Sequence, residues 1–192
     1  TLQANTSSNL IDWYSDSNLQ NFVGSGNIFI TPILNTTTTY FAQSKFIFPS
    51  IFGAPNDNTF GSGSYYQGDR HLIFDNYFDS KLISVLVYSN SSGNRTIELR
   101  NSSNAILQDT TIYIPYSPNG IRLYLNFDLP IQNNLQLGIS APNSDLYRNS
   151  SGAIFPYNIS NIISITGTNA PAGYYYFFYD WEIEKDECVS NI

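Results

Sequence analysis

The chain has 192 residues, 16% of them aromatic and only 12% charged, with a formal net charge of −7. Eight Lys and Arg scattered along it exclude the clustered cationic surface that a nucleic-acid backbone requires. No apolar run reaches the roughly 20 residues of a bilayer-crossing helix, so no membrane insertion is expected, and the remainder, rich in Asn, Ser and Thr, favours strands and polar turns.

The length admits one well-buried domain, or one domain and part of another. The chain begins at Thr1 and contains no Met, and so reads as a piece of a longer precursor. Cys188 is the single cysteine, which leaves no internal disulfide to form; the sequence leaves open whether it pairs elsewhere.

Residues 1–43 alternate short apolar stretches with turn residues, and Trp13, Phe29, Ile33 and Tyr40 are its candidate core. A segment this short buries too little surface to stand alone. From residue 60 onward, strand-like segments alternate with Gly, Asn and Ser clusters. LISVLVYS (82–89) is apolar almost throughout and reads as a central strand covered on both faces. RTIELRN (95–101) alternates, with Ile97 and Leu99 inward and Thr96, Glu98 and Arg100 outward; TTIYIP (110–115) turns Ile112 and Ile114 inward.

The clearest register is IRLYLNFDLP (121–130), where Ile121, Leu123, Leu125, Phe127 and Leu129 oppose Arg122, Tyr124, Asn126 and Asp128. A slip of one residue would bury Arg and Asp. NLQLGIS (134–140) and IISITG (162–167) continue the series, and GYYYFFYDWEIE (173–184) closes it. Short strands joined by polar turns, with no convincing helix, predict an all-β antiparallel β-sandwich of jelly-roll type over 44–187.

Strict alternation along the closing ribbon puts Tyr175, Phe177, Tyr179, Trp181 and Ile183 between the layers, and Tyr174, Tyr176 and Phe178 on the opposite face. Two readings of that second row stand: a loop covers it, or it is a stacking platform for the flat C–H faces of sugars. Tyr147, Arg148, Asn149 and Tyr157 form a second candidate ligand site in LYRNSSGAIFPYN (146–158), where an unpaired guanidinium suits a carboxylate or vicinal hydroxyls. The alternative is structural, with Arg148 clamping carbonyls or pairing with Asp180.

A calcium ion is the one possible cofactor. Asn56, Asp57, Asn58 and Asp69 supply oxygens in a Gly-rich stretch, with Asp180 or Glu182 closing from the last strand; Asx turns are the competing use of the same residues. His71 is the only histidine, so no multi-histidine metal centre and no nucleophile pair is visible, and no enzyme activity is expected. Seven N-x-S/T triplets, among them Asn90, Asn94, Asn101 and Asn149, follow from the composition and do not imply N-glycosylation.

The stretches IDWYSDSN (11–18), VGSGNIFITPIL (23–34) and TTTTYFAQ (36–43) resemble, in that order, the tryptophan strand, Gly turn, TP strand and TTTYY strand of Ig-like repeats in large secreted and cell-surface proteins of Bacteroidetes. Residues 53–184 resemble a β-sandwich module that accompanies those repeats in substrates of the type IX secretion system, through GSGSYYQGDRHLIFD (61–75), residues 82–107, LYLNFDLP (123–130), LYRNSSGAIFPYN (146–158), ISITGT (163–168) and YYYFFYDWEI (174–183). The resemblance implies a truncated Ig-like module at 1–43, the sandwich at 44–187, and the start of a connector at 188–192. It implies an extracellular, non-catalytic part of an adhesin or gliding-motility protein, beside other Ig-like modules. The sandwich is similar to carbohydrate-binding jelly rolls, which makes a glycan the expected partner. A pure spacer, or an accessory domain of a polysaccharide-degrading enzyme, is the alternative. Asp109–Thr111 resembles an O-glycosylation motif of such exported proteins, with Thr110 as acceptor.

Overall fold

The computed structural model describes residues 1–7, 10–140 and 144–190. They contain strands and turns and no helix, and the chain divides into two compact units, Thr1–Pro49 with Asp186–Ile192, and Ser50–Lys185.

In the first unit β1 is Leu2–Gln3, β2 Leu10–Tyr14, β3 Phe22–Ser25, β4 Ile28–Phe29 and β5 Phe41–Phe46. β2 lies between β3 and β5, and β1 pairs with β4. Trp13 is buried; it stacks on Phe29 at 5.7 Å, which meets Tyr40 at 5.1 Å, and its indole N–H donates to the Gly26 carbonyl at 2.8 Å. Ile33 departs from expectation: it is 94% exposed. The TP stretch around it forms no strand, since Pro32 has no N–H to give a ladder.

The unit boundaries also differ from expectation. β5 runs through residue 43 as one strand, and the last part of the chain returns to pair with it: Cys188 opposes Phe46 and Val189 opposes Lys45. The Ser190 N–H then donates to the Ser44 carbonyl at 2.9 Å. The predicted connector therefore contributes a strand to the first unit, while Asn191 and Ile192 lie outside the described residues.

The second unit is built from β6 Ile51–Gly53, β7 Gly63–Tyr66, β8 His71–Asn76, β9 Ser80–Ser89, β10 Gly93–Arg100, β11 Ile106–Ile114, β12 Ser117–Leu129, β13 Gln132–Ile139, β14 Leu146–Asn149, β15 Tyr157–Ile159, β16 Ile163–Thr168, β17 Tyr175–Tyr176 and β18 Tyr179–Lys185. One antiparallel sheet runs β11-β10-β13-β8-β16-β15. The other is centred on β9, which pairs with β12, β18 and β14; β6 lies beyond β18, and β7 and β17 pair with β14.

The facing sides of the two sheets form one buried cluster, with Leu72, Ile97 and Leu137 from the first and Val85, Leu123 and Ile183 from the second. Phe74 meets Trp181 edge to face at 5.2 Å across it. Each such side chain contributes about 1.5–3 kcal/mol by leaving water. The expected β12 register is present: Leu123, Leu125, Phe127 and Leu129 are buried and Tyr124 is exposed. On β10, Ile97 and Leu99 point inward as read, but the outward pair is not solvated. Glu98 and Arg100 are buried, with Arg100 bonded to Glu98 at 2.5 Å and to Asp69 at 3.2 Å.

The closing ribbon corrects the alternation argument. Phe177 and Asp180 have φ of 68° and 43°, and the ribbon is two strands, β17 and β18. Tyr179 opposes Leu86 while Glu182 opposes Ser84, so three steps on β18 match two on β9. The extra residue is a β-bulge, and it flips the faces. All five odd-numbered side chains are buried, but only part of the row lies between the sheets. Trp181 meets Phe74 there, whereas Tyr179 shares the outer face with Leu86 and Tyr88.

Candidate functional site

The three rings offered as a platform are not open. Phe178 and Tyr176 are 0% and 2% exposed, and only Tyr174 is half-buried. Tyr176 packs on Tyr66 and Phe177, and Phe178 on Phe177. Tyr147 is half-buried between Tyr65 (5.5 Å) and Tyr88 (6.4 Å), over Gly63, where an added Cβ would fall 2.6 Å from its ring. It packs; it does not reach out.

Asn149 is fully buried and holds two loops together. Its Nδ2 donates to the carbonyls of Asn58 (2.9 Å) and Gly61 (3.0 Å), and its Oδ1 accepts from the Tyr179 hydroxyl at 2.8 Å. Burial holds the Tyr179 phenol protonated, far above its usual range, so it remains a donor. Backbone contact completes the strap. A Cβ on Gly61 would lie 2.1 Å from the Ser151 carbonyl oxygen, and one on Gly152 (φ +87°) 2.6 Å from that of Phe60; the Ser150 N–H donates to the Ser62 carbonyl at 2.7 Å.

Between these loops lies a cleft of about 370 Å³, lined by Pro55, Asn56, Asp57, Phe60, Gly152, Ile154 and Tyr157. That is within the size of small-ligand clefts, roughly 300–1,000 Å³. Tyr157 is the one predicted ligand residue in it. Its hydroxyl accepts the Ile154 N–H at 3.0 Å, and its ring packs on Phe155 and Tyr175, so the wall is held in place. Ile154 is 79% exposed. Asp57 accepts the Thr59 hydroxyl and N–H, which hold its carboxyl below the usual range. The cleft combines ring and aliphatic walls with an amide and an anionic carboxylate. Phe60 and Ile154 carry no mark as ligand residues in the sequence; an isoleucine between Gly152 and Pro156 is the available signal.

Arg148 sits elsewhere, opposite Tyr176 in the sheet. Its guanidinium carbon lies 5.4 Å from the Tyr66 ring centre and 4.9 Å from that of Tyr174, and Tyr174 stacks on Tyr176 at 6.1 Å and 13°. It does not pair with Asp180, which pairs with Arg122 instead.

The calcium ligands do not converge. Asp57 closes an Asx turn on Thr59, Asp69 pairs with Arg100 and Asp180 with Arg122. No group of three or more His, Cys, Asp and Glu suited to a metal occurs among the described residues. His71 is buried beside Arg100, and burial first, then that charge, lowers its pKa. Thr110 opposes Ile97 on β11, so it faces inward and is half-buried, unlike an open acceptor. Cys188 is exposed and free.

No family model, curated protein or solved structure matches the chain.

Proposed function

We propose that the Ser50–Lys185 sandwich is a non-catalytic recognition module of an extracellular surface or secreted protein, working in adhesion beside Ig-like modules of the same chain, and that it holds a glycan in the Tyr157 cleft. The observation that carries this reading is the cleft's make-up. Apolar walls from Tyr157, Phe60 and Ile154 suit the C–H face of a sugar, and Asn56 with Asp57 suits its hydroxyls. Its loops are strapped in advance, so little ordering is lost on binding.

The competing role of spacer is less well supported by the topology. The chain enters and leaves the sandwich through paired strands, with Ile51 opposite Ile183. A module whose two ends are neighbours does not itself hold its flanking segments apart. A non-catalytic role fits a single histidine that is buried in a structural charge cluster.

The test is a glycan array with the whole chain, repeated for Ile154→Ser and Asn56→Ala, both at exposed positions where folding is not at stake. Binding weakened in both variants supports the cleft. A blank array from a folded chain, or binding untouched by either substitution, removes it.

A further inference from the structure

Three of the five arginines are structurally committed. Arg100 and Arg122 hold carboxylates, and Arg95 is saturated by backbone carbonyls such as those of Ser91 and Ser144. Arg70 and Arg148 hold no carboxylate among the described residues, although acids outnumber bases fifteen to eight. Arg70 donates through Nη1 to the Asn169 carbonyl at 3.0 Å, and its Nε is buried without an acceptor. Arg148 is barer: both its Nε and its Nη1 are buried and face no acceptor.

Arg148 lies opposite Tyr176 in the sheet, over the Tyr66 and Tyr174 rings, and the charge of Arg70 reaches the same tyrosine through space. Burial raises the pKa of the Tyr176 phenol, and the charges of Arg148 and Arg70 both act to lower it. Arg148 thus keeps two unsatisfied donors beside two aromatic rings. Buried donors without partners are uncommon, and they point to a missing acceptor. Tyr66 and Tyr174 lie over the Arg148 guanidinium, which leaves approach in its own plane. Nε and Nη1 belong to its two forked edges, each completed by Nη2, and a planar carboxylate matches such an edge with two parallel hydrogen bonds.

We propose that Arg148, with Arg70 and the Tyr66 and Tyr174 rings, forms a second binding site on the sandwich that takes the carboxylate of an acidic sugar. The assignment of the carboxylate to a sugar rests on the reading of the sandwich as a glycan-recognition module. Tyr66 and Tyr174 are both half-buried walls, and entry of the ligand requires side chains at the site to shift, since Nε and Nη1 are buried as they stand.

The experiment is calorimetric titration of the whole chain with sodium glucuronate, glucose and sodium acetate. Glucuronate binds saturably and more weakly as salt rises; acetate, with no ring to stack, binds less well, and glucose does not compete. Arg148→Gln lowers glucuronate affinity by on the order of tenfold or more, since a charge-assisted bidentate pair is lost. Arg148→Lys also weakens it, because the charge stays but the fork does not. Arg70→Gln, at a half-buried position, gives an independent reading if Arg148→Gln fails to fold.

A folded chain that ignores glucuronate, equal affinity for acetate, or full affinity in folded Arg148→Gln or Arg70→Gln overturns the site. Neutral glycans that still bind at Ile154 while glucuronate does not would sink this site and spare the cleft. Glucuronate binding that survives Ile154→Ser but not Arg148→Gln supports it independently of the cleft.

Discussion

Replacing Asn149 with Ala tests the link between the buried core and the cleft. The side chain makes three hydrogen bonds, at 2.9, 3.0 and 2.8 Å. Its loss strips the donor from two loop carbonyls and the acceptor from a buried Tyr179 hydroxyl. At about 1 kcal/mol per bond, with the orphaned hydroxyl adding to it, the cost is roughly 3 kcal/mol. For a domain of this size that lowers the unfolding midpoint by about 10 °C. Tyr179→Phe removes one of the three bonds and costs about 1 kcal/mol. Urea unfolding followed by amide exchange in β9 and β18 measures both on the sandwich alone. If Asn149→Ala costs no more than Tyr179→Phe, the two carbonyl bonds contribute nothing and the loops are held by something else.

Other substitutions probe the same architecture. Gly61→Ala drives a Cβ into the Ser151 carbonyl, so the two loops must part; the expected loss exceeds about 1 kcal/mol, read by thermal unfolding and by weaker ligand capture at the cleft. His71 is kept neutral by burial and by Arg100, so its folded pKa lies below the unfolded value. The unfolded chain then binds the extra proton, and stability falls as pH drops below about 6.5. His71→Gln should flatten that part of the stability profile; an unchanged profile would place the titration elsewhere. With Asp69 and Asp180 each paired to an arginine, a chelator is expected to leave the unfolding midpoint where it was, and a midpoint raised by calcium would refute that. Cys188 is exposed and is expected to react fully with a maleimide in native buffer.

Part of the candidate site is legible in residue order. Gly152, Pro156 and an arginine in one loop mark Tyr157 and Arg148 as candidates, and the structure gives each a defined setting, the first in a cleft and the second beside two tyrosines. The aromatic row misleads because Phe177 and Asp180 adopt left-handed backbone. Phe177 carries no mark of such a conformation, and Asp180, although Asp is among the residues that adopt it more readily, sits in a run that reads as one continuous strand. Asn149 reads as a binder and proves to be a strut, a distinction that depends on Asn58, Gly61 and Tyr179, all distant in sequence.

Residue order alone pointed to an all-β chain and to the inward apolar faces of β10 and β12, because a pleated strand shows its two sides every second residue. Tertiary structure alone decided which rings are covered, where the first unit ends, and which arginines go unmatched. Those outcomes turn on register between strands far apart in the chain and on the partner each side chain meets there. A local pattern carries neither.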